Sequence, residues 1–552
     1  MDDRSPITTR TDFDAIVVGA GFAGMFMLHR LRQQGLKVRV FERGSGVGGT
    51  WFWNRYPGAR CDTESMEYSY QFDDALQQEW NWPERYSAQP DILKYANHVA
   101  DRYNLRADLQ FNTKVLSASF DEARHLWTIA TDDGKTATAR YFIMATGTLS
   151  VANKPKFAGL DSFKGRVFYT SDWPHEGVDF TGRRVALIGT GSSGIQSTPH
   201  IAEQASRLTV FQRTPNFSVP ARNRPLSDEE RNVTKSRYGE LRNFTYQQPF
   251  ATNFHMNDVS ALSVSPEERR RVYEERWNQH GGLHFMAAFN DLLFNSEANK
   301  TIAEFIVDKI HGIVKDPKKA EILAPKNGVV GCKRLCSDTG YFETFNRDNV
   351  DLVDVSQSPI EEVTETGIRV EGDEGIRDFG VDDIVFATGF DAMTGALLGV
   401  DIKGRGGQSL RDKWAAGPRT YLGLQTVGFP NLFMVTGPGS PSVLSNMMVS
   451  IDQHVNLISD TIRHLESAGI VEIEPQQSAE DAWVSHVNEV ADLTVYPTCN
   501  SWYLGSNVPG KTRVFMPYIG FNTYVAKCQD VVAKGYEGFV LVPSERKEAA
   551  TA

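Results

Sequence analysis

The chain has 552 residues, long for one hydrophobic core, so two or three domains are expected. A hydrophobic share of 41% and a charged share of 23% are those of an ordinary water-soluble globular protein, and a net charge of −11 speaks against a nucleic-acid partner.

The chain opens with MDDRSPITTRTDFD, polar and acidic with no apolar h-region, so no secretory signal is expected. Five cysteines (61, 332, 336, 499 and 528) are odd in number and mostly scattered. That usage suits free thiols in a reducing cytoplasm better than a disulfide framework. Cys332 and Cys336 form C-x3-C with no second pair, which does not make a zinc site.

The first patterned segment is the apolar strand AIVV (15–18), followed by Gly19-Ala20-Gly21-Phe22-Ala23-Gly24, a helix MFMLHRLRQQG and a second strand KVRVFE ending in Glu42. Gly19 suits a tight turn, Gly21 a close approach to a pyrophosphate, and Gly24 helix–strand packing. The helix start offers free N–H groups to phosphates, and Glu42 can accept from both ribose hydroxyls. Next comes RGSGVGGTWFWNRYPGARCD, glycine-rich with four aromatics in a short span. This suits a flat cofactor ring that must be covered, hence FAD; the alternative is a glycine loop with a small aromatic core of its own.

YFIMATG (141–147) closes an apolar strand on Ala-Thr-Gly, and DDIVFATGF (382–390) repeats the pattern. In two-dinucleotide flavoproteins such segments mark where the chain crosses between the nucleotide domains, so the domains are expected to be discontinuous, the second inserted into the first. Between them a second unit begins with RVALIG (184–189), then Gly189-Thr190-Gly191-Ser192-Ser193-Gly194-Ile195-Gln196 in a turn and helix, then the strand RLTVFQR. Where the first unit carries Glu42, this one carries Arg213-Thr214. A cation there can pair with a 2′-phosphate and predicts NADP(H), unless Arg213 is only a strand-end surface charge.

From about Ala221 to Lys326 the composition turns charged and helical. Ser227 with Glu230, and Ser265 with Pro266 and Glu268, predict helix starts, and Ile302, Phe305, Ile306, Ile310 and Ile313 form a core-facing stripe. This insert is expected to pack on the second domain. From Thr420 to Ile451 there is no charged residue, yet glycines and prolines break the run. It reads as buried loop and strand rather than a membrane helix. The predicted fold class is α/β: two Rossmann-like dinucleotide-binding domains, one for FAD (1–150 and 390–552) and one for NADP (151–221 and 333–389), with a helical insert at 222–332.

With both dinucleotides in one chain, hydride is expected to pass from nicotinamide to flavin. There is no C-x-x-C for a disulfide reductase, so O2 is the natural acceptor. Phe163-Lys-Gly165-x-x-x-Tyr169-x-x-x-Trp173-Pro174 resembles one fingerprint of the Baeyer–Villiger monooxygenases, and GGTWFWNRYPGARCD (48–62) matches the other at every defined position. RTPNFSVPARN, KRLCSDTGYFETFNRDNV, GPGSPSVLSNM and SWYLGSNVPGKTRVFMPYIG extend the similarity over nearly the whole chain, nearest the phenylacetone and steroid monooxygenase branch. Tyr169 stands where that family usually has His; the ring is kept but cannot carry charge near neutrality.

The resemblance implies an NADPH- and O2-dependent conversion of ketones to esters or lactones through a nucleophilic peroxyflavin, with no membrane or nucleic-acid partner. By the same resemblance Arg334 is the active-site arginine and Asp62 its positioning partner. Thr50, Trp51, Tyr68 and Val115 fall on FAD contacts. Arg60, Cys61, Lys333 and Trp502 fall on the NADP side with the turn Thr190–Gln196 and Arg213, and Met447 on the substrate pocket. The rival is an N- or S-oxygenating flavin monooxygenase built on the same two folds.

Overall fold

Two nucleotide-binding units organise the computed structural model, which describes residues 11–326, 328–373 and 375–544. Residues 1–10, which hold most of the polar N-terminal stretch, lie outside the described residues. The first unit begins with the strand Phe13–Val18, the helix Phe22–Gln33 and the strand Val38–Phe41. Phe13–Val18 lies parallel to Val38–Phe41 on one side and to Thr136–Met144 on the other. Leu126–Thr131 and Val115–Asp121 continue the sheet antiparallel, and late strands Asp401–Lys403 and Leu432–Met434 join it from far along the chain.

The second sheet is parallel throughout, in the order Val350–Asp354, Arg207–Gln212, Arg184–Ile188, Asp383–Phe386, Arg166–Tyr169. In both units the first glycine of the turn abuts the strand that ends in Ala-Thr-Gly. Gly19 has φ +104° and a Cβ there would lie 2.6 Å from the Ala145 carbonyl oxygen; Gly189 has φ +111° and the same clash at 2.4 Å with Ala387. The last glycines are equally confined, with Gly24 packed on the Gly19 carbonyl and Gly194 on that of Gly189. The glycine spacing therefore encodes how closely each helix sits on its sheet.

The Arg166–Tyr169 strand, which carries part of one fingerprint, is the edge of the second sheet, paired with Asp383–Phe386. An ion cluster locks that edge. Asp383 is fully buried and accepts from Nε and Nη2 of Arg166, both at 2.7 Å, and from Nε and Nη2 of Arg183, both at 3.0 Å. Burial alone would raise the Asp383 pKa, but the two guanidinium forks outweigh it and hold the carboxyl below its usual range.

The helical segment is built as its caps and stripe predict. Ser227 and Glu230 form a reciprocal capping box, Ser265 caps the helix Pro266–Glu275, and Ile302, Phe305, Ile306 and Ile310 are buried along Ser296–Ile313. Its packing differs from expectation, because it divides between the two units. Tyr273, Trp277, Phe285, Ile302 and Phe305 join the core around Val185, Leu187 and Val210 of the second sheet. The helices Asp228–Ser236 and Tyr238–Tyr246 instead bond to the first unit. Lys235 Nζ donates to the Gln78 carbonyl at 2.6 Å, Arg242 Nη2 to Ser69 Oγ at 2.8 Å, and the Tyr246 hydroxyl to Asp452 Oδ2 at 2.5 Å. Those polar partners are scattered along the first unit, Gln78 and Asp452 on two separate helices and Ser69 ahead of both in sequence, and no helical periodicity reports them.

The charge-free run Thr420–Ile451 is mostly buried, supplies the strand Leu432–Met434 and ends in the first turns of the helix Met447–Ala468. Among the described residues no helix is long and apolar enough to cross a membrane.

The expectation of unpaired cysteines is overturned: Cys332 and Cys499 form a disulfide across a sequence separation of 167, while Cys61, Cys336 and Cys528 are free and buried. A contact this distant is set by tertiary folding, which cysteine spacing does not encode.

Asp383→Asn should lower unfolding free energy by about 1–3 kcal/mol, below the value for a fully buried pair because its arginines are partly exposed. Denaturant unfolding of the variant checks this; unchanged stability would contradict the locking role.

Candidate active site

The carboxyl ends of the parallel strands in the two sheets face one cavity of about 1440 Å3. Gly19, Gly21, Glu42, Thr50, Trp51, Tyr68 and Val115 line its first half, and Thr190, Gly191, Ser192, Gln196, Arg213, Thr214 and Lys333 its second. Arg60, Cys61, Asp62, Arg334, Met447 and Trp502 also line it. Gly24, Ser193, Gly194 and Ile195 do not: the two glycines sit under their helices and Ile195 is in the core.

At the end of the Val38–Phe41 strand, buried Glu42 accepts from the Ala20 N–H at 2.8 Å and the Gly44 N–H at 2.7 Å, one on each oxygen. Each oxygen keeps a second lone pair, the acceptor set a ribose diol needs. The Trp51 indole N–H donates to the Tyr68 hydroxyl at 3.1 Å, which fixes two of the aromatic walls against each other.

The matching end of the second unit has the opposite charge. Among the described residues neither Arg213 nor Lys333 has a carboxylate partner, though both line the cavity. Burial lowers the Lys333 pKa, and the Arg213 cation adds to the lowering. Arg213 is exposed just past its strand and Lys333 is half-buried in a nearby loop; two like charges facing one space repel unless an anion sits between them, so this half suits a phosphate. Thr190 Oγ1 donates to the Thr214 carbonyl at 3.0 Å and closes the turn beside them. Gln196 is occupied differently from a phosphate cradle: its amide donates to the Arg60 carbonyl at 3.1 Å and accepts from the Tyr56 hydroxyl at 2.9 Å. It clasps the loop of the first unit to the helix of the second.

Where the two halves meet, Arg334 and Asp62 form a fork. Arg334 Nε and Nη2 donate to the two Asp62 oxygens, the second at 3.0 Å, and Nη1 donates to the Val443 carbonyl at 2.8 Å. Burial would lower the guanidinium pKa, but Asp62 outweighs it and keeps the group above its ordinary value, so it is charged at any working pH. About a quarter (26%) of each side chain stays accessible, so the pair can meet a ligand in the cavity that both line. Met447 opens the helix Met447–Ala468, whose cap Asn446 accepts from the Met448 N–H at 3.1 Å. Trp502 lines the cavity, and its ring centroid lies 4.3 Å from that of its buried neighbour Tyr503.

Tyr169 does not line the cavity. Its ring stacks on Phe386 at 5.1 Å and lies under Lys154 Nζ at 4.7 Å, on the strands through which the chain crosses between units. Several lining residues escape the motif reading. Tyr56 stands inside a quoted fingerprint and its tie to Gln196 depends on the second unit. Thr436, at φ +57°, donates its N–H at 2.9 Å to Nδ1 of buried His454, and only the charge-free run around it hints at burial.

Behind Tyr68 lies a polar cluster with no sequence signal. Glu64 accepts from Arg85 at 2.6 Å and meets His284 Nε2 at 2.9 Å. Buried Glu67 accepts from the Asn253 N–H at 2.8 Å. Burial pushes the Glu67 carboxyl well up and the Glu64 charge adds to it. For Glu64 burial also acts upward, but the His284 and Arg85 contacts outweigh it and hold that carboxyl low. Glu67 thus holds its proton above the usual carboxylate range, beside the part of the cavity wall that carries Tyr68.

A family model described as pyridine nucleotide-disulphide oxidoreductase matches residues 16–261. A Baeyer–Villiger monooxygenase of Pseudooceanicola batsensis is 45% identical, over 97% of this chain and 97% of that protein. A phenazine N-monooxygenase of Lysobacter antibioticus is 42% identical, over 96% and 97%. The solved structure of an oxidised steroid monooxygenase bound to NADP superposes with a TM-score of 0.92, at 50% identity, over 97% of this chain and all of that one.

The raised Glu67 pKa has a signed consequence. The unfolded chain releases this proton near 4.5 and the folded chain only near 8, so stability falls as pH rises across that window. Melting temperatures of the wild type and Glu67→Gln at the two ends of the window test this; the variant should show the smaller fall, and equal falls would contradict it.

Proposed function

The chain belongs to the Baeyer–Villiger monooxygenases, and from that premise we propose how its own residues carry out the oxygenation of a ketone to an ester or lactone. The overall reaction consumes ketone, O2, NADPH and a proton and returns ester, NADP+ and water. Bound FAD, reduced by NADPH, supplies the activation of O2. The first unit holds that FAD: Glu42 takes the ribose hydroxyls, Gly21 and the helix start face the pyrophosphate, and Thr50, Trp51, Tyr68 and Val115 cover ring and adenine. The second unit holds NADP(H), with Arg213 and Lys333 on the 2′-phosphate and Arg60, Cys61 and Trp502 toward the nicotinamide end.

The observation that carries the reading is the Arg334–Asp62 fork at the junction of the two halves. As the ketone carbonyl is attacked, negative charge grows on its oxygen. A guanidinium already oriented by Asp62 and the Val443 carbonyl steadies that charge without reorganising. Met447 and its neighbours on the apolar side form the ketone pocket and exclude water. A cytosolic setting, where NADPH is supplied, completes this reading.

A second reading is N-oxygenation, favoured by the similarity to the phenazine N-monooxygenase. That chemistry needs an electrophilic, protonated oxidant, and a fixed cation bonded to a carboxylate stabilises negative charge instead. Product analysis with a ketone and a phenazine offered together separates the two. Ester as the main product supports the proposal, and N-oxide as the main product overturns it.

Arg334→Ala should still oxidise NADPH but lose ester formation by about 100-fold or more, on the scale of an oxyanion donor. Ester yield measured against NADPH consumption checks this, and normal coupling would refute the role. Lys333→Ala should raise KM for NADPH about tenfold or more, the worth of a charged hydrogen bond, while KM for NADH hardly changes. Equal changes for both nucleotides would place Lys333 elsewhere.

A further inference from the structure

The Cys332–Cys499 disulfide joins two segments that both line the cavity, with Cα atoms 5.4 Å apart. Cys332 directly precedes Lys333 and Arg334, and Cys499 directly precedes Asn500 and the turn that carries Trp502. Among the described residues no hydrogen bond or ion pair runs directly between 328–335 and 495–507; apart from the sulfur bridge, Val329 packs on the apolar cluster that holds Val495 and Tyr496, and the Arg334 charge faces Tyr496 and Tyr503. Cutting the bridge therefore removes the covalent link between the two walls and leaves these weaker contacts. Cys332 is partly accessible and Cys499 is buried, so reagents in solution reach the pair from the Cys332 side. Cys61, Cys336 and Cys528 are buried, with thiols pushed up by burial to about 12, 11 and 12, and are poor nucleophiles by comparison.

We propose that Cys332 and Cys499 form a reversible redox modification site that sets how readily NADP(H) leaves the cavity. The inference rests on the reading that Lys333 and Trp502 contact that nucleotide. Oxidised, the bridge pins the Lys333–Arg334 turn to the Trp502 turn and keeps the nucleotide in; reduced, the two walls part and exchange accelerates. The oxidant is hydrogen peroxide, which a flavin oxygenase releases when it consumes NADPH and O2 without a ketone. One thiolate attacks a peroxide oxygen, breaking the O–O bond and leaving a sulfenic acid and one water after proton uptake. The second thiol displaces the sulfenic oxygen as a second water, so two thiols and one peroxide give one disulfide and two waters. A dithiol reductant returns both thiols and takes the disulfide itself. An enzyme idling without ketone thus slows its own nucleotide exchange and limits wasted NADPH.

The full-length, FAD-loaded enzyme is treated with hydrogen peroxide or with dithiothreitol and freed of reagent. Thiols are counted in denaturant, and NADP+ release is timed by rapid dilution. Three thiols are expected after peroxide and five after dithiothreitol, with NADP+ release roughly fivefold or more slower in the oxidised form. The double variant Cys332→Ser/Cys499→Ser should release NADP+ at the reduced wild-type rate after either treatment. A thiol count that ignores the treatments, or equal release rates at three and five thiols, would overturn the inference. Ester formation is assayed separately: ester made with release rates that ignore the treatment sinks this inference and leaves the proposed function standing.

Discussion

The bond between Arg334 and Asp62 spans 272 residues of sequence and draws the two nucleotide units onto one reaction space. Asp62 closes the aromatic loop of the first unit, Arg334 precedes the strand Cys336–Asp338, and the third partner, Val443, comes from the charge-free run. A half-buried guanidinium without a partner would be costly to desolvate; paired on both Asp62 oxygens and a carbonyl it stays charged and aimed. The position of the cation, and so the place where negative charge can be steadied, depends on all three segments holding their relation.

The rest of the architecture serves that relation by giving two similar folds opposite electrostatic ends. Glu42 is satisfied by backbone amides and keeps acceptors free, whereas Arg213 and Lys333 line the cavity with no acid partner among the described residues. Gln196 and Tyr56 then clasp one unit to the other, and the helical segment does the same at greater distance through Arg242 and Tyr246 on one side and Trp277 and Phe305 on the other.

Much of this was legible in the sequence because its causes are local. Gly19 and Gly24, and Gly189 and Gly194, stand at spacings dictated by helix–sheet contact, and the charges at 42 and 213 stand at strand ends that the apolar runs mark. Arg334 and Asp62 became visible through resemblance rather than spacing, since neither has a periodic context. What stayed hidden depends on distant partners. The Cys332–Cys499 bridge, the buried Glu64–Glu67 cluster and the divided loyalty of the helical segment arise where the fold brings far segments together. Ser193 and Ile195 belong to the turn-and-helix pattern, yet neither lines the cavity, and Ile195 faces the core.

The central claim is that Asp62 acts through Arg334, so a double-mutant cycle on ester formation tests it most directly. Asp62→Asn, Arg334→Lys and the double variant should combine non-additively by about 1 kcal/mol or more, roughly fivefold in rate, because one substitution already disorders what the other removes. Additive losses would mean that the two residues work independently, and the account built on their bond would be wrong.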